Sequence, residues 1–376
     1  MRIIKSRITK AIALALTVVA VFLTIGAGFA SAENWPMFRG NEARAGSVAS
    51  PDFGPAAIAG KIAWRSGVQG PIQSSPAVFG GRIFFGSDDG NFYALREDDG
   101  AGLWSFPAEN WISSSPAIAK GLVIFGSYDS RIYALDIYTG ALKWRFTTHG
   151  MVASSPAAAD GRVFFGSVDG GVYCVDMSTG IEKWSYKAGR EVYGSPSVAD
   201  GVVYIGNHDG KMMAIDAATG KLKWRAIVGG PVTTAPAISG GRLFFGSWDG
   251  KLYCADIKNQ AVIWRYDSGG SIESPPLVSG GRVFFGNQNG DMTALDSSSG
   301  KVLWKTATGH TISSAPSMRG KQIFFGNHGN EIYSLDAQTG QVHWKINAGG
   351  AVTSTLAAGK HAIYVTCADS TIQSIK

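Results

Sequence analysis

"GRVFFGSVDGGVYCVDMSTGIEKW", Gly161 to Trp184, returns throughout the chain at one fixed spacing. Trp64, Trp104, Trp144, Trp184, Trp224, Trp264, Trp304 and Trp344 stand 40 residues apart, and so do Pro76, Pro116, Pro156, Pro196, Pro236, Pro276 and Pro316. A period of this length marks a repeat architecture, and the content of one unit decides which. Each unit reads as four short strands, such as "SSPAAAD", "RVFFGS", "GVYCVD" and "IEKWSY", parted by Gly-rich or Asp-rich turns. No stretch carries helical periodicity. Four antiparallel strands per 40 residues are a propeller blade.

The two ends give the number of blades. "KIAWRS", Lys61 to Ser66, is an outer strand with no blade before it, and the last copy, Ala351 to Lys376, stops after its third strand. Pairing them completes an eighth blade and removes two exposed edges. The expected fold is therefore an all-β, eight-bladed propeller of four-stranded antiparallel blades over residues 61–376, its last blade closed by the N-terminal strand.

The turn D-x-x-T-G recurs at Asp136–Gly140, Asp176–Gly180, Asp216–Gly220 and Asp336–Gly340. Asp and Thr brace the local backbone there, and Gly takes the positive φ that closes the hairpin. The apolar runs "IFFG", "VFFG" and "LFFG" lack polar alternation, as strands covered on both faces do. The periodic tryptophans then fill the space between blades, each ring N–H satisfied by a neighbouring backbone group.

Of the 376 residues 45% are hydrophobic, enough for a large core. Residues 1–32 read as an export signal: Arg2, Lys5, Arg7 and Lys10 precede an uncharged run from Ala11 to Phe29 and then Ala30-Ser31-Ala32. Cleavage is expected before Glu33, leaving residues 33–60 as an N-terminal segment and no membrane span; the same run is also long enough for an uncleaved anchor. Four of the 34 Lys and Arg lie in this leader and none of the 28 Asp and Glu do, so the mature chain carries 30 basic against 28 acidic groups, a net +2. That balance, with no basic run, removes the electrostatic case for nucleic acid or an anionic membrane. Three cysteines would enter an oxidising compartment with at least one thiol unpaired. Cys174 and Cys254 fill the place held by Ala94, Ala134, Ala214 and Ala294 in other copies, so they read as small core residues.

The pattern A-x-D-x-x-T-G-x-x-x-W, at Ala134–Trp144 and Ala214–Trp224, resembles the tryptophan-docking repeat of quinoprotein alcohol dehydrogenases and their non-catalytic relatives. The opening "NWPMFRGNEARAG", Asn34–Gly46, resembles the start of bacterial PQQ-like repeat proteins, including BamB-type outer-membrane assembly factors. The resemblance runs from Trp35 to the C-terminus and implies the fold more firmly than any chemistry. The dehydrogenase side of the family implies pyrroloquinoline quinone (PQQ) and calcium at the channel mouth. Its adjacent cysteine pair has no counterpart, since no two cysteines adjoin here. A lipid-bearing cysteine after the leader is absent as well. Copies with Arg96 and with Asn259-Gln260 depart from the turn pattern.

Comparing the copies with one another sorts blade residues from the rest. Two loops vary: the link from the outer strand to the next blade ("PAENWI", "TTHGMV", "KAGREV", "ATGHTI") and the turn between second and third strands ("SYDS", "NHDG", "SWDG", "NQNG", "NHGN"). A chain that crosses the blade twice between them puts both on one face. Trp111 and Trp248, the tryptophans outside the period and beyond Trp35, fall there, with His149, His208, His310 and His328, and with Tyr128, Arg190, Glu191, Tyr193 and Glu273. Aromatic groups beside a few polar ones suit recognition of a protein or glycan partner. No metal-ligand spacing, nucleophile motif or phosphate loop appears. The expectation is a monomeric, exported, non-catalytic binding propeller of the cell envelope with no cofactor; the alternative is a PQQ-dependent dehydrogenase.

Overall fold

The computed structural model describes Asn41, Ser47–Val48, residues 57–359 and residues 361–376; the leader and most of the N-terminal segment lie outside them. The described residues form eight sheets of antiparallel strands in sequence order. The first comprises Ala77–Phe79, Arg82–Gly86, Asn91–Arg96 and Gly102–Pro107, and the third Ala157–Ala159, Arg162–Gly166, Gly171–Asp176 and Glu182–Lys187. Innermost strands of successive blades pack side by side, the first against the eighth, which closes the ring; between the sixth and the seventh, Ser47–Val48 contacts both. In the eighth blade Ile62–Gly67 pairs with Thr371–Ile375, in the register Trp64 to Ser374 and Gly67 to Thr371. Lys61 and Lys376 exchange backbone hydrogen bonds of 2.9 and 2.8 Å, so the predicted closure is present.

Innermost strands run for three residues or fewer, shorter than stretches such as "SSPAAAD" suggest. The preceding Ser-Ser-Pro spends its polar groups on the next blade instead. Ser154 Oγ donates to the Gly194 carbonyl (3.0 Å), and the Ser155 N–H donates to Ser195 Oγ (2.9 Å). Proline offers no N–H to a ladder. Around the axis such bonds recur at Ser115 to Ser155 and at Thr355 to Ser75, stitching blade to blade.

The sealing between blades is the work of the tryptophans. In the third blade the register shifts between Cys174 and Val175, a bulge that sets Trp184 toward its neighbour. Its Nε1 donates to the Ala217 carbonyl (3.0 Å). Its ring covers Gly220, at φ +71°, where a Cβ would lie 2.7 Å from Cδ2. Trp144 on Met177 (2.8 Å) and Trp304 on Ala337 (3.2 Å) repeat the arrangement. In the copy reading Asn259-Gln260, Gln260 takes the glycine's place at φ +56°. Phe84, Phe85, Phe164, Phe165, Phe244 and Phe245 are fully buried on the two sides of their strands.

Two features have no sequence precursor. Trp344 has no following D-x-x-T-G turn, so the N-terminal segment substitutes: its Nε1 donates to the Ile58 carbonyl (2.7 Å) and its ring covers Gly60. Ser47–Val48 pairs in parallel with Met318 and Arg319, adding a fifth strand to the inner edge of the seventh blade. Cys174, Cys254 and Cys367 are buried free thiols, each pushed up to about 12 by burial.

Candidate functional site

Each link meets the second-to-third-strand turn of the blade it enters, through one backbone hydrogen bond repeated round the ring. Tyr128 donates to the Trp111 carbonyl (2.9 Å), His208 to Glu191 (2.9 Å), Trp248 to Pro231 (3.0 Å) and His328 to Thr311 (2.9 Å). The two variable loops therefore share one face.

Part of these loops is scaffold. Asp89, Asp129, Asp169 and Asp249 each accept a tyrosine hydroxyl from the third strand, at 2.5 to 2.8 Å. The same carboxylates accept link N–H groups from Gln69, Glu109, His149 and Gly229 at 3.0 to 3.2 Å. His149 thus takes part through its backbone, with its ring exposed. These bonds hold the loops in one conformation and leave the flanking side chains free to differ.

Those side chains meet in pairs, one from the link and one from the turn. Gln73 Nε2 donates to Asp88 Oδ2 (2.7 Å) in the first blade. In the second, Ser113 Oγ donates to Asp88 Oδ1 of the preceding blade (3.2 Å) and also hydrogen-bonds the Tyr128 hydroxyl. Trp111 lies against Tyr128 with ring centroids 6.0 Å apart. In the fourth blade Tyr193 meets His208 edge to face at 5.8 Å, and His208 meets Trp248 of the fifth at 5.3 Å. Trp248 Nε1 donates to Thr233 Oγ1 (2.9 Å). In the seventh, Ser313 Oγ and His328 Nε2 are 2.8 Å apart. The third blade has Met151, Ala153 and Val168 at these positions.

The structure thus brings some of the sequence-derived residues together and leaves others apart. Trp111 with Tyr128 and Tyr193 with His208 and Trp248 form two aromatic clusters on either side of the third blade. His328 pairs with Ser313 on the far side of the ring. Arg190 is exposed, 3.7 Å from Glu191, and His310 covers Gly329 on the outer part of its link. Glu273 is half-buried on the sixth blade's link. Burial raises the Tyr128 hydroxyl's pKa, opposed by the Ser113 hydrogen bond and reinforced by the Asp88 carboxylate. Gln73, Asp88, Ser113, Thr233 and Ser313 were not singled out by their chemistry. Their signal is positional, since each occupies a repeat position equivalent to one of the chosen residues.

A solved BamB from Moraxella catarrhalis has 21% identity to this chain and a TM-score of 0.72, covering 83% of this chain and 97% of that one. The quinohemoprotein alcohol dehydrogenase of Comamonas testosteroni gives 0.79 at 13% identity, over 91% and 80%. The computationally designed Ika8 protein gives 0.75 at 18%, over 84% and 99%. At such identities these likenesses concern the fold alone. No curated protein sequence matches the chain. The family model described as outer membrane protein assembly factor BamB matches residues 55–155, 148–234 and 225–361, and with that coverage the chain belongs to this family of PQQ-like repeat propellers.

Proposed function

We propose that the chain is an exported, non-catalytic propeller that binds a protein or glycan partner in the cell envelope through its variable face. The observation that carries this reading is the segregation of side chains. Those that differ from copy to copy gather on one face, and several touch one another in pairs, over loops bonded to the scaffold through their backbone. Large aromatics stay exposed there, Trp111 at 50% and Trp248 at 43%. Exposed aromatics in a fixed arrangement are what a recognition surface needs. The leader read from residues 1–32 supports export, and among the described residues no helix is long and apolar enough to cross a membrane.

PQQ held by calcium would need converging carboxylates. Among the described residues no three His, Cys, Asp or Glu side chains stand together in that way. The three thiols lie buried in separate blades, with no adjacent pair against which a quinone could stack.

The test places a photo-crosslinker at position 248, and in a control at exposed Tyr138 on the opposite face, in mature protein mixed with envelope extract. Capture from position 248 alone, competed by excess unlabelled protein, is the expected result. Equal capture from both faces, or stoichiometric binding of PQQ and calcium with dye-linked alcohol turnover, would overturn the reading.

A further inference from the structure

The geometry points to an uncharged oligosaccharide as the ligand of the arc that runs from Gln73 to Trp248, an inference that rests on the binding reading above. Three observations favour this class over others.

The first is the shape of the arc. Trp111 and Tyr128 rise on the second blade and Tyr193, His208 and Trp248 on the fourth and fifth. Between them the third blade presents Met151, Ala153 and Val168, none of them aromatic, so the two aromatic clusters flank a stretch that carries no ring. Two aromatic clusters so spaced offer flat apolar surfaces to the C–H faces of successive sugar rings.

The second is the polar inventory. Asp88 accepts from both Gln73 and Ser113, and Thr233 and His208 adjoin Trp248. Carboxylate, amide, hydroxyl and imidazole together supply donors and acceptors for a polyhydroxylated ligand. Charged groups along the arc are of mixed sign: Arg190 and Lys211 face Glu191 and Asp209, and the turn carboxylates Asp129, Asp169 and Asp249 are taken up by tyrosine hydroxyls and link N–H groups. No field of one sign is present to select an anionic polymer.

The third is the state of the backbone. An extended peptide binds most simply by adding a strand to a free edge. Here Tyr128, His208 and Trp248 all spend their N–H groups on the adjoining link, and Asp129 and Asp249 take up further link N–H groups. The arc offers side chains rather than a ladder.

The aromatics are held before any ligand arrives, Trp248 by Thr233 and His208, Trp111 against Tyr128. Little rotamer entropy remains to be lost on binding.

The experiment titrates chitohexaose, cellohexaose and maltohexaose into mature protein, following tryptophan fluorescence and calorimetry. At least one sugar should bind saturably, one per chain. Trp111→Ala and Trp248→Ala should each weaken it by about tenfold, as loss of one stacked aromatic contact implies. Trp248→Phe should recover most of the loss, and Tyr138→Ala on the opposite face should change nothing. The inference is overturned if none of the three sugars binds saturably, or if binding survives both alanine variants with unchanged melting temperatures. Loss of sugar binding together with face-dependent protein cross-linking would remove the glycan and leave the binding face standing.

Discussion

The two faces of the ring are built by one repeat and treat their side chains in opposite ways. On one, Asp136 Oδ1 accepts from the N–H of Tyr138 and Thr139 (3.0 Å each) and from the Thr139 hydroxyl (3.1 Å). Asp216 and Asp336 do the same with their own neighbours. Lys143, Lys183 and Lys223 each reach the turn carboxylate at 3.0 to 3.2 Å. On the other face the repeated contact between link and turn is a backbone bond, indifferent to the residues on either side of it. Side chains are constrained where the turn itself is the seat for a tryptophan, and released on the other face at the positions that flank the backbone bond and the aspartate clasp.

The contrast breaks most visibly at the seals. Trp184→Ala should cost about 3 to 5 kcal/mol, the usual range for emptying a large aromatic site, and denaturant melts read it directly. A cost under about 1 kcal/mol would mean that the ring is held by its strands rather than its tryptophans. Gln260→Gly should act in the other direction. A non-glycine residue in the left-handed region costs about 1 to 2 kcal/mol, so the variant should gain on the order of 1 kcal/mol while every glycine-bearing turn stays as it is.

Acid sharpens the same comparison. Asp136 is held at about 2 by the Thr139 N–H and Lys143, Asp216 at about 2 by Lys223 and Thr219, and Asp296 at about 2 by Ser298 and Ser299. Their folded values lie below the ordinary 3.8. The stability they contribute is therefore complete above that value and lost as pH falls through 2. The melting temperature should drop across this window, and the triple variant Asp136→Asn, Asp216→Asn, Asp296→Asn should flatten the drop. An unchanged slope would show that these turns carry no pH-dependent stability. The smallest effect is expected on the variable face, where Trp248→Ala should leave stability within about 0.5 kcal/mol of the parent chain, as for exposed positions generally. A larger loss would make Trp248 a member of the scaffold.

The ring could be read from sequence because its requirements are spaced in sequence. Trp184 and Gly220 each have equivalents in most copies, and the half-blades at the two ends fall one strand and three strands short. Ser47–Val48 left no such trace, because a two-residue parallel pairing imposes no alternation. Ile58–Gly60 escaped too, since it keeps only the glycine of the turn it replaces. On the variable face, Trp111, Tyr128, Tyr193, His208 and Trp248 could be found as departures from the period. Their small partners Gln73, Ser113 and Thr233 look like ordinary linker residues, and only the pairing geometry reveals them. His149 and His310 were legible as rare residues, yet the fold sets them toward the outer end of their links.

The bonds between Lys61 and Lys376 carry a consequence for biogenesis. A chain that emerges from its N-terminus delivers Ile62–Gly67 long before their partners Thr371–Ile375, so the circle cannot be shut until that last strand has been made. Until then each unfinished intermediate exposes an unpaired lip at the growing end. Joining residue 376 to residue 61 by a short linker and opening the chain at another turn would move that lip elsewhere, and would detach Ile58–Gly60 from the Trp344 ring it seats.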